Sequence, residues 1–93
     1  MKQAELTREQ KDRVHLLIGR DNVGYKIIAY KRASTHENDA HLYIVFGVDL
    51  KFSSGMQYVV WTYNAESDGF GGGAYFLEFE NAAARYNERG VRK

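Results

Sequence analysis

The spacing of apolar residues switches from helical to alternating and back again along this 93-residue chain. Thr7-Arg8-Glu9-Gln10 reads as a capping box, in which the Thr7 hydroxyl and the Gln10 side chain satisfy free amides at a helix start. Val14, Leu17 and Ile18 then recur on one helical stripe, which predicts a helix over 5–19 that stops at Gly19. From Val23 the period becomes two: Val23, Tyr25, Ile27 and Ala29 alternate with Gly24, Lys26, Ile28 and Tyr30, predicting a strand over 23–32. A polar stretch leads to the clearest alternation in the chain. There Leu42, Ile44, Phe46, Val48, Leu50 and Phe52 interleave with His41, Tyr43, Asp49 and Lys51, predicting a strand over 41–52 with one buried face. Ser53-Ser54-Gly55 turns this strand into an antiparallel partner over 56–65, apolar on both faces and so placed at the sheet centre. A short strand over 74–77 and a helix over 78–89, carrying Phe79, Ala82, Ala83 and Tyr86 at helical spacing, complete the order αββββα. The expectation is a single α+β domain across 1–93, with both helices on one face of a four-stranded antiparallel sheet.

Between the third and fourth of these strands lies Gly69-Phe70-Gly71-Gly72-Gly73-Ala74. Its spacing satisfies the glycine fingerprint of dinucleotide-binding folds, but that fingerprint requires a helix directly after the glycines. Here Ala74-Tyr75-Phe76-Leu77 comes next, which is strand chemistry, and no Gly-Lys-Ser/Thr ending marks a phosphate loop. Gly69-Phe70-Gly71 also echoes an RNA-binding strand motif, yet Asp68 stands where a lysine or arginine is needed. A likeness of the last loop and helix to the double-stranded RNA-binding domain fails in the same way, since Phe79-Glu80 replaces its phosphate-gripping lysines. Residues 64–73 therefore read as a hairpin connection whose glycines supply positive φ, with Phe70 displayed as a contact tip.

Charge changes this picture only regionally. Net charge is +1, but residues 1–32 hold eight Lys/Arg against four Asp/Glu, residues 33–84 one against seven, and residues 85–93 four against one. Basic ends flank an acidic middle, so a polyanion-binding role falls to Lys26, Lys31, Arg32, Arg85, Arg89, Arg92 and Lys93. Seven tyrosines, five phenylalanines and one tryptophan exceed what so small a core hides, and aromatic residues serve contact surfaces well. No apolar run is long enough to span a bilayer and the start has no signal-peptide core, which implies a cytoplasmic protein with no membrane role.

The absence of cysteine excludes disulfides, thiolate nucleophiles and cysteine-based zinc sites. His36-Glu37-Asn38-Asp39-Ala40-His41 is the one cluster of metal-ligand types, but its histidines are five apart in a polar loop, whereas helical zinc ligation needs them four apart. Ser34, Thr35, Ser53 and Ser54 have no histidine that the pattern places beside them. The pairs Glu66 with Asp68 and Glu78 with Glu80 fall in loop or helix-start positions, where solvation or the helix dipole accounts for them. The expectation is therefore a protein without catalytic residues, metal or cofactor.

The aromatic strand Tyr58-Val59-Val60-Trp61-Thr62-Tyr63-Asn64, the glycine-bearing turn, the Tyr75-Phe76 strand end and the helix from Ala82 to Arg89 resemble a block found in small uncharacterised proteins of bacterial phages and mobile elements. The resemblance covers about a third of the chain. It implies an accessory factor of the host cytoplasm, in the manner of anti-CRISPR counter-defence inhibitors, which act by occupying a surface of a host protein or protein–nucleic acid complex. Tyr43, Asp49, Glu66, Asp68, Phe70 and Tyr75 are the expected partner-binding residues. Direct nucleic-acid binding through the basic segments is the alternative, and a further one is sequestration of a nucleotide signal stacked on Trp61 or a tyrosine. Homodimer formation through a sheet edge or a tyrosine patch is also expected.

Overall fold

The computed structural model describes residues 6–33, 40–51 and 55–89. Helix α1 (Arg8–His15) is followed by strands β1 (Asp21–Asn22), β2 (Tyr25–Arg32), β3 (Leu42–Val48), β4 (Tyr58–Asn64) and β5 (Gly69–Phe76), then by helix α2 (Phe79–Glu88). The strands form one antiparallel sheet in chain order, β1-β2-β3-β4-β5. The α+β class and antiparallel sheet match the sequence reading, with five strands in place of four. The added strand arises because Val23-Gly24 is a turn: both residues have positive φ, 50° and 88°, the signature of a two-residue hairpin loop linking β1 to β2.

The capping box forms as the sequence implies. Thr7 Oγ1 accepts from the Gln10 amide at 3.1 Å, and Gln10 Oε1 accepts from the Thr7 amide at 2.9 Å. The helix then ends sooner than Gly19, at a C-cap on Leu16. Helical spacing no longer governs the residues beyond that cap, so Leu17 is fully buried while Leu16 and Ile18 face outwards.

The two helices lie on opposite faces of the sheet, which corrects the expectation of a shared face. Strand residues paired across an antiparallel ladder point the same way, and successive residues alternate. One face therefore carries Ile27, Val45, Val59, Trp61 and Tyr63, which cluster with Val14 and Leu17 from the α1 segment. The other carries Phe46, whose ring meets Phe79 and Tyr86 of α2 at 5.7 and 5.5 Å. The cause is β3, buried from Tyr43 through Asp49 on both faces, so that a single helical layer leaves half of it in water.

The glycine run is also placed differently: it lies within β5, not in a connection. Val60 pairs with Ala74 and Thr62 with Gly71, so Gly72 and Gly73 together oppose Trp61 as a β-bulge. Each glycine has its own reason. Gly72 has φ 62°, and a Cβ on Gly73 would stand 2.9 Å from the Trp61 indole. The turn itself is Ala65–Asp68, opened by Asn64 Oδ1, which accepts from the amides of Glu66 and Ser67 at 2.8 and 3.3 Å.

Candidate partner-binding surface

The residues expected to bind a partner occupy very different positions. Tyr43 is buried with its ring edge-on to Tyr30 at 5.8 Å, and burial raises its pKa. Asp49 is also buried: its Oδ1 accepts from the Lys51 amide at 3.1 Å, while its backbone exchanges bonds with Gln57. Phe70 is half-buried against Tyr63 and Trp61, at 4.9 and 5.4 Å between ring centres, with the Arg20 guanidinium 5.2 Å above it. Asp68 takes two bonds from Arg20, at 2.8 and 3.4 Å, and one from the Tyr63 hydroxyl at 2.6 Å. Those contacts, Arg20 first and Tyr63 second, hold the Asp68 carboxyl below the usual range. Burial and then the bond to Asp68 push the Tyr63 phenol up to about 12. Glu66 and Tyr75 keep exposed side chains, at opposite ends of the sheet.

The Arg20–Asp68–Tyr63 set looks like chemistry, yet its geometry is that of a clasp. Arg13 acts beside it, donating to the carbonyls of Ala65 and Glu66 at 2.7 and 3.1 Å. Together the two arginines tie the α1 segment to the β4–β5 turn.

The basic residues are likewise spread out and engaged. Lys26 reaches Asp21 at 3.5 Å and the Gly19 carbonyl at 3.3 Å. Lys31 sits 4.7 Å over the Tyr86 ring, and Arg85 lies near Glu88 and over Phe76. Arg89 is inserted at the bulge, donating to Thr62 Oγ1 at 2.6 Å, the Gly72 carbonyl at 3.2 Å and the Val60 carbonyl at 3.4 Å. Arg32 is half-buried on the face opposite to Lys31, beside Tyr43. Arg92, Lys93, His36, Ser34, Thr35, Ser53 and Ser54 lie outside the described residues. Among the described residues no group of three acidic or histidine side chains is placed to hold a metal.

A surface the sequence pattern did not reveal stands at one end of the sheet. Lys26 of β2, Val48 of β3, Tyr58 of β4 and Phe76 of β5 lie in one cross-strand row. Just beyond that row come the β1–β2 turn, the flanks of the β3–β4 connection and the β5–α2 junction. These contribute Val23, Leu50, Met56, Leu77 and Phe79, with relative exposures from 42% for Met56 to 81% for Val23. Tyr25 ties the region together by donating to the Met56 carbonyl at 2.7 Å. An open hollow of ≈ 400 Å³ lies beside it, lined by Asp21, Gly24, Lys26, Val48, Leu50 and Lys51. Exposed Asp21, Lys51, Glu78 and Glu80 surround these apolar residues, an arrangement of apolar centre and polar rim that protein–protein interfaces share.

Val23 breaks a local rule to be there. A β-branched residue at φ 50° is strained, and the first position of such a turn ordinarily carries asparagine, aspartate or glycine. Its exposure means that packing within the chain does not offset the strain. No protein-family model, curated protein or solved structure matches the chain.

Proposed function

We propose that the chain is a non-enzymatic binding module that docks on a larger protein machine through the apolar end of its sheet. In its most concrete form it is a phage or mobile-element factor that disables a host defence complex by covering a working surface, as anti-CRISPR proteins do. The observation that carries this reading is the convergence of five exposed large apolar side chains at one end of the sheet, one of them held in a strained turn. Strain without intramolecular return is characteristic of positions selected for contact. The counter-defence assignment rests on the resemblance of the Tyr58–Asn64 and Ala82–Arg89 segments alone, and the site itself speaks only for protein docking.

The nucleic-acid reading is less well supported, because Arg89 is committed to the β4–β5 bulge and Lys31, Arg32 and Arg85 do not share one unshielded stripe. Sequestration of a base on Trp61 is less favoured for a related reason: its indole is buried between Tyr25 and Gly73.

The test is affinity capture from a bacterial lysate, with and without nuclease, using the wild type and Leu77→Asp. An exposed leucine is replaced, so folding is retained, and loss of a central apolar contact of more than about 1.4 kcal/mol weakens binding at least tenfold. The expected result is a stoichiometric protein partner that survives nuclease and is lost with Leu77→Asp. A partner held equally by both proteins refutes the surface, and capture that disappears with nuclease returns the basic residues to first place.

A further inference from the structure

β5 is the last strand of the sheet, paired with β4 along one side, and among the described residues no backbone hydrogen bond reaches its other side. Such an edge offers alternate N–H and C=O groups as a template for another strand. Sheet edges are commonly defended by lysine, proline, an inward-pointing charge or a β-bulge. Residues 69–76, Gly-Phe-Gly-Gly-Gly-Ala-Tyr-Phe, carry no charge and no proline, the bulge at Gly72-Gly73 is the one such device among them, and their glycines put no side chain in the way of an approaching backbone.

The bulge gives this edge an internal symmetry. Phe70 and Tyr75 are five residues apart and in a regular strand would point to opposite faces. Insertion of Gly72-Gly73 opposite Trp61 puts both on the α1 face: Phe70 beside Tyr63 and Tyr75 beside Tyr25, the latter rings 5.8 Å apart. Gly69, Gly71, Ala74 and Phe76 all share the α2 face. Outward from the bulge in either direction, the faces therefore come in the same order.

We propose that β5 pairs antiparallel with β5 of a second copy of this chain, about a two-fold axis passing between Gly72 and Gly73. In that register Phe70 stands opposite Tyr75 of the second copy, Gly71 opposite its Ala74 and Gly69 opposite its Phe76. Every residue of the pairing meets one on its own face, as pairing within one continuous sheet requires, and because of the bulge only the register that sets the two bulges opposite each other achieves this along the whole strand. Residues 69–76 carry no charge, so the ladder brings no charges of like sign opposite one another. The ladder consists of two equal blocks separated by the facing bulges, with an aromatic cross-strand pair in each block. This pairing is independent of the docking surface at the apolar end of the sheet.

The test uses the absence of native cysteine. Gly71→Cys places its Cβ where no atom lies within 4 Å, and Ala74→Cys supplies the opposing thiol. Directly opposite strand positions fall within disulfide reach, whereas two copies of the same variant keep their thiols about three residues out of register. Mixed and oxidised, the two variants are expected to form a disulfide-linked heterodimer, while each alone remains largely unlinked. Sedimentation of the wild type should show a concentration-dependent dimer, and Tyr75→Lys should raise its dissociation constant more than tenfold with the monomer still folded by circular dichroism. A wild type that stays monomeric up to its solubility limit, a dimer indifferent to Tyr75→Lys, a mixture that fails to cross-link, or equal linkage in the unmixed samples overturns the proposal.

Discussion

Replacing Val23 by asparagine is expected to stabilise the protein, although it exchanges an apolar residue for a polar one. Val23 sits at φ 50° in the two-residue turn between β1 and β2. An L-residue in the left-handed region bears a cost of roughly 1–2 kcal/mol, to which β-branching adds, whereas asparagine visits that region readily. Against this stands the apolar burial given up. With 81% of Val23 exposed, about a fifth of a full side-chain burial is lost, roughly 0.3–0.6 kcal/mol. The balance favours Val23→Asn by about 1 kcal/mol, which in a domain of this size raises Tm by about 4–8 °C. Urea denaturation followed by circular dichroism measures the same quantity as a higher midpoint at unchanged slope. If the midpoint is unchanged or falls, the valine is not strained and strain gives no reason to think it is held there for contact. If it rises while capture of the partner weakens, stability and binding are opposed at this one position, as docking through Val23 requires.

Gly73→Ala is expected to destabilise by about 1–3 kcal/mol, because its methyl group meets the Trp61 indole at 2.9 Å and that ring is buried. Gly71→Ala, with open space at the same distance range, is expected to be neutral or stabilising in the same denaturation experiment. An alkaline titration reports on the clasp. The folded-state pKa of Tyr63, about 12, lies above the unfolded value of 10, so the folded protein holds the proton longer and stability falls as pH rises from 10 towards 12. Tyr63→Phe is expected to flatten that part of the profile.

Several features were legible because they depend on neighbours in sequence. The capping box at Thr7–Gln10 and the alternation around Ile44, Phe46 and Val48 specify their elements with no tertiary information. Other features depend on residues far away. Gly24 fits an alternating pattern, so Val23-Gly24 reads as strand until the short β1 is seen to pair there. The three glycines read as a loop because the ring that Gly73 makes room for, Trp61, belongs to the neighbouring strand. Tyr43 takes the polar phase of its strand in an alternation count, which hides the burial of both faces of β3 and hence the need for helices on both sides. The apolar end was illegible for the opposite reason: Leu50, Leu77 and Phe79 continue patterns of core spacing past the point where the core stops.

The two arginine anchors of the α1 segment have a consequence for the order in which the fold assembles during synthesis. Residues 8–20 leave the ribosome well before their anchoring groups at Ala65, Glu66 and Asp68, which are made 48 to 53 residues later. An isolated helix of eight residues is marginal in water, even with a capping box. The α1 segment must therefore wait as a largely unstructured arm until the β4–β5 hairpin emerges, its Val14 and Leu17 open to water meanwhile. On this basis α1 docks only after the β4–β5 turn is made, and the nascent sheet grows strand by strand with both of its faces uncovered, since α2 follows β5 in the chain.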